Sequence, residues 1–193
     1  MENLNSRAIG RLTAAIGIVT VGGLIAATLF FSVGGIWGPL NDLSIALEAL
    51  LVAALAWMLH PAFRSQAPQL SRGTLAAAIL GGLIASLGSA GVMLSITGWF
   101  LAILITSLGY ALLAVWLFAF NRHARLHDRL PRGLIRLGQI AGATLMLGFL
   151  NIPGILNRID SPADASWLTS LSMVDALGWM LLPTGAFGWG VSS

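Results

Sequence analysis

Two acidic residues stand inside long apolar runs of this chain, and they raise the first chemical question. Glu48 falls within NDLSIALEALLVAALAWMLH and Asp175 within WLTSLSMVDALGWMLL. A charge at the centre of a membrane-spanning helix costs about 2.5–3.5 kcal/mol on insertion scales, so such groups face a bundle interior or a wet cavity and mark candidate sites. Helical spacing gives each carboxyl a polar stripe. Asn41, Ser44 and Glu48 stand three and four residues apart, and Thr169, Ser172, Asp175 and Trp179 follow the same rule. Glu48 lies seven residues past Asn41, roughly 10 Å along a helix, and Asp175 lies eight past Trp167, roughly 12 Å. The matched depths predict an outward-facing polar pocket between the second, fifth and sixth helices, joined by Asn151 at the outer end of the fifth. Two carboxyls brought together there would share a proton. The plainer alternative is that each carboxyl, protonated or hydrogen-bonded to Ser or Asn, ties helices together.

Other residue types that could do chemistry lead nowhere as strong. His123 and His127 have the spacing of two metal ligands on one helical face, but no glutamate stands in the HExxH position. Arg122, Arg125 and Arg129 would also repel a cation, so this is expected to be a solvated basic loop with no metal. His60, directly before Pro61, reads as a helix-end residue. Bis-histidine haem ligation needs histidines within the spans, and the sequence places none there. All ten basic residues are arginine, so no lysine can form a retinal Schiff base. Cysteine is absent, which removes disulfides, thiolate metal sites and cysteine nucleophiles. No phosphate loop or GxSxG elbow occurs. The expectation is a protein that is not an enzyme and carries no cofactor.

The elements that must hold these residues follow from composition. The chain is 57% hydrophobic and 9% charged, with a mean hydropathy of +0.88. Soluble domains carry about 25% charged residues. At about 20 residues per crossing, the 193 residues divide into one all-α domain, a single bundle of six transmembrane helices over about 12–33, 41–60, 73–96, 99–120, 133–152 and 167–189. The first apolar run is longer than a signal peptide's core, so a retained helix is expected. Gly34, Gly35, Gly38 and Pro39 mark a turn, and Asn41 or Asp42 is placed to cap the second helix. Pro61 should stop that helix, Pro153-Gly154 the fifth, and Pro183 should kink the sixth.

Charge sets the threading. Arg7, Arg11, Arg64, Arg72, Arg122, Arg125, Arg129, Arg132 and Arg136 fall on one side of such a layout and only Arg158 on the other. The positive-inside rule then puts both termini in the cytoplasm. Trp37, Trp99 and Trp167 fall at outer helix ends and Trp57, Trp116 and Trp189 at inner ends, as two aromatic belts. The pI of 11.1 is not a nucleic-acid signal, because the arginines sit at span ends and not as a patch on a soluble domain. The expected partner is the lipid bilayer, with anionic headgroups attracted to the loop around residues 121–136. In GGLIASLGSAG, small residues recur at Gly81, Ala85 and Ser89 and at Gly82, Ser86 and Ala90, the spacing of a helix-helix seam. Gly138 and Gly142 form a second small pair, and either face could serve homo- or hetero-oligomers. Helices one to three and four to six share no residue pattern, which weakens a reading as an inverted-repeat transporter.

NDLSIALEALLVAALAWMLHP, LPRGLIRLGQIAGA and the closing LGWMLLPTGAFGWG resemble a broad group of uncharacterised bacterial six-helix membrane proteins. The resemblance covers most of the chain from about Asn41, and Asn41 and Asp42 match the group's Asn-Asp element. It implies a six-helix bundle in the bacterial inner membrane and assigns no site residues. The expected function is that of a non-catalytic, bundle-forming or accessory membrane subunit. The alternative is a carrier or sensor of a small solute or proton working through the acidic pocket.

Overall fold

The computed structural model describes residues 2–65, 67–126 and 131–164. The sixth helix expected over 167–189, with Ser172, Asp175 and Trp179, lies outside the described residues, as do Arg129 and His127. Within them the chain is all-α. Helix α1 spans Glu2–Val33, α2 Trp37–Arg64, α3 Pro68–Met93, α4 Trp99–Leu126 and α5 Arg132–Leu145. The fifth span continues from α5 through a 3-10 segment, Met146–Asn151, into the short helix α6, Ile152–Leu156. Five segments among the described residues are long and apolar enough to cross a membrane: Arg7–Val33, Trp37–Arg64, Pro68–Met93, Trp99–Arg125 and Arg132–Leu156.

The surface agrees with that reading. Ile18 is 74% exposed, Phe31 80%, Trp57 64% and Leu87 69%, while Glu48, Asn121 and Asn151 are buried. Water would penalise so much exposed apolar surface, and a bilayer would not.

Each of the helices α1 to α5 packs against the next in sequence, and α4 is the most deeply buried, touching α2, α3, α5, the 3-10 segment and α6. Glycines set the spacing. A Cβ on Gly82 of α3 would stand 2.8 Å from the Ala53 Cβ and 3.0 Å from the Ala49 carbonyl oxygen of α2. A Cβ on Gly81 would stand 2.8 Å from the Leu113 backbone nitrogen of α4, and one on Gly109 of α4 would overlap the backbone of Ala85. The two small-residue stripes of α3 therefore serve different partners. Gly81, Ala85 and Gly88 meet α4, while Gly82 and Ser86 meet α2. Hydrophobic collapse does not drive helices together in lipid, so close backbone approach and interhelical hydrogen bonds must do so. The Ser86 hydroxyl donates to the Ala46 carbonyl at 3.0 Å, and the Tyr110 hydroxyl to the Ile45 carbonyl at 3.2 Å.

Several sequence-based boundaries are corrected. Helix α2 starts at Trp37 and runs through Pro61 to Arg64, so Asn41 and Asp42 lie inside it and do not cap it. Pro39 sits in the first turn, where no amide proton is required. Past Pro61 the helix closes on its own carbonyls, since the Ser65 amide donates to the Pro61 oxygen at 3.3 Å. The first arginine-side loop shrinks accordingly to residues 65–67. Pro153 does not end the fifth span either, because α6 begins at Ile152 and takes Pro153 into its first turn. Trp116 is no belt residue. It is 3% exposed and stacks on Phe120 with ring centroids 5.4 Å apart. The expected turn after α1 is present, with Gly34 at φ +75° and Gly35 at φ +70°, a backbone conformation that glycine adopts freely.

Candidate functional site

Glu48 is 0% exposed on α2. One turn toward the arginine-poor end, Ser44 faces Gly23 of α1, where a Cβ would stand 3.0 Å from the Ser44 Cβ. The Ser44 hydroxyl is spent on the Leu40 carbonyl at 2.8 Å. Asn41 lies on the same seam with its Oδ1 buried and without a hydrogen bond. On the neighbouring face, the Ile45 carbonyl accepts from Tyr110 of α4 and Ala49 backs onto Gly82 of α3. Glu48 thus sits on the buried side of α2, at the depth where α2 packs on α1, α3 and α4. The Glu48 side chain is screened by protein, as an intramembrane acid requires.

Asn151 is 1% exposed at the end of the 3-10 segment, and among the described residues neither its Nδ2 nor its Oδ1 has a hydrogen-bond partner. The fifth span packs on α4, whereas α2 packs on α1, α3 and α4. Among the described residues, then, Asn41, Ser44 and Glu48 are held together on α2, and Asn151 is placed separately on a different neighbour of α4. A 3-10 stretch inside a spanning segment breaks the regular ladder and commonly marks a hinge.

The second candidate lies at the arginine-rich end. A cavity of about 310 Å³ is lined by Arg125 of α4 and by Arg132, Ile135 and Arg136 of α5. Ala124 and the 2%-exposed Ile135 pack together and fix the end of α4 against the start of α5. All three guanidinium-bearing residues are exposed, and among the described residues no carboxylate pairs with any of them. Arg122 is also exposed on α4 and does not line the cavity. His123 lies against the Phe63 ring at 5.1 Å between centroids, and His60 Nδ1 lies 2.7 Å from the Ser71 hydroxyl, tying α2 to α3.

Two polar residues of consequence are missed by sequence reasoning. Asn121, expected to open the basic loop, is 0% exposed inside α4, where its Nδ2 donates to the Leu117 carbonyl at 2.8 Å and its Oδ1 finds no partner among the described residues. It fits only because Gly138 of α5 has no side chain. Asp160 reaches back to α4, where its Oδ1 accepts the Leu101 amide at 3.0 Å and its carboxylate covers Gly98. An acid at a helix N-terminus satisfies free amide protons and complements the helix dipole. Gly138 opposite Asn121 was visible in the sequence only as a small residue. The Asp160 cap joins residues 59 apart and left no local signal.

The chain matches no family model, no curated protein and no solved structure.

Proposed function

We propose that this chain is a six-span inner-membrane protein with both termini in the cytoplasm, working as a non-catalytic, bundle-forming or accessory membrane subunit. The carrying observation is the seam through α2, α3 and α4, where glycines bring backbones into contact and Ser86 and Tyr110 hydrogen-bond across it. Such packing suits a rigid unit better than one that must open a path between helices. The arginine distribution supports the threading, and the resemblance to uncharacterised bacterial six-helix membrane proteins supports the span count and the location.

A second reading rests on Glu48, a fully buried acid within a spanning helix. It makes the chain a carrier or sensor of a small solute or proton, with Asp175 as the expected second acid. Proton flux separates the two. Liposomes holding the purified chain and an internal pH dye are given an acid jump. The subunit reading expects dye responses equal to those of empty liposomes, with Glu48→Gln changing thermal stability alone. Flux above the empty control that Glu48→Gln abolishes would replace it with the carrier reading.

A further inference from the structure

We propose that the cavity between the end of α4 and the start of α5 binds a phosphate group, presented by the headgroup of an anionic lipid. The inference rests on the chain being membrane-embedded and is independent of which face the arginines occupy.

Among the described residues the chemistry of the site is one-sided. Arg125, Arg132 and Arg136 converge on one concavity with no carboxylate among the described residues to neutralise them. Arg132 and Arg136 stand four apart on one helical face, a like-charge spacing that destabilises a helix unless an anion lies between them. Helix α5 begins at Arg132, its N-cap residue is Pro131, and no side chain caps it. Its first amide protons and the positive end of its dipole therefore add to the same field. An arginine at the first position of a helix, with a second one turn further on, is the wrong sign for a helix start, and a bound anion reverses the penalty. Guanidinium presents paired donors that match phosphate oxygens.

The size and position select the source. A volume of about 310 Å³ is at the small end of ligand pockets, which run roughly 300–1,000 Å³. That suits a headgroup and not a whole amphiphile. Buried Ile135 supplies an apolar wall beside the guanidiniums, and the cavity lies at the end of two apolar spans, where lipid phosphates are the most concentrated anions.

The test uses the full chain in a neutral detergent and counts bound lipid by native mass spectrometry. Phosphatidylglycerol is expected to be retained and phosphatidylcholine lost. Each guanidinium removed should weaken phosphatidylglycerol binding about fivefold, so Arg132→Gln with Arg136→Gln should cost about 25-fold. Arg64→Gln, at the same end but outside the cavity, should leave binding unchanged. Millimolar inorganic phosphate should compete with the lipid. Equal retention of both lipids, unaltered binding in the double variant, or an equal loss in Arg64→Gln would overturn the proposal. Binding of inorganic phosphate without phosphatidylglycerol would overturn its lipid source. All these substitutions are at exposed positions, and unchanged circular dichroism would show that folding is not the variable.

Discussion

The two faces of α4 use glycine for different ends. Toward α3, Gly81, Ala85 and Gly88 meet Thr106 and Gly109, backbone against backbone. The Thr106 hydroxyl there reaches the Ala85 carbonyl at 3.5 Å. Toward the fifth span, Gly138 leaves room for the Asn121 amide, Gly142 for Phe118 and Gly148 for the Ser107 carbonyl, and the helix then slackens into a 3-10 turn. Polar atoms without partners among the described residues, Asn121 Oδ1 and both ends of the Asn151 amide, lie on or beside this second face. A buried unsatisfied polar group costs about 1–3 kcal/mol. One seam is optimised for contact, and the other carries unmet hydrogen-bonding capacity in a segment with a break. If the bundle changes shape, the fifth span is where it does so.

Substitutions on the two faces should therefore behave differently. Gly109→Val should have the largest effect. Its methyl groups would meet the backbone of Ala85 and the Gly81 carbonyl, which cannot rotate away, and overpacking costs about 1–3 kcal/mol even where neighbours can move. A loss at or above the top of that range is expected in detergent unfolding. A near-neutral result would mean that the α3–α4 seam is not close-packed. Gly138→Ala should cost about 1–3 kcal/mol by expelling the Asn121 side chain, and Asn121→Ala in the same chain should restore most of the loss. Strict additivity of the two changes would refute the contact. Asn151→Leu should have the smallest effect, within about 1 kcal/mol of wild type or stabilising, because an unbonded amide is exchanged for an apolar side chain of similar size. A loss much beyond that would show that the amide has a partner in the membrane.

Much of this contrast was legible in the sequence, because small residues at four-residue steps can lie only on one helical stripe. Gly81, Ala85, Gly82 and Ser86 mark the two stripes of α3 in the sequence, and contacts show each to be a seam. What the spacing could not give was the partner, since a stripe does not say which helix it meets. Helix ends differ from the sequence expectation where proline reads as a stop. Pro39 sits in the first turn of α2, where no amide proton is required, whereas Pro61 lies inside the helix, which continues past it for three residues to Arg64. Glu48 was legible as buried from its depth alone. Its surroundings were not, because they depend on Gly23, Tyr110 and Gly82, from three other helices. Asn121 and Asp160 were hidden for the same reason, one needing the absent side chain of Gly138 and the other a helix start far back in the chain.

The threading can be measured directly, because the chain has no cysteine and any introduced one is unique. Ser95, in the turn between α3 and α4, and Ser65, in the turn after α2, are both exposed. With a membrane-impermeant maleimide on intact cells, Ser95→Cys should be labelled at once and Ser65→Cys only after the membrane is opened. Labelling of Ser65→Cys in intact cells, with Ser95→Cys protected, would place the arginines outside and contradict the account.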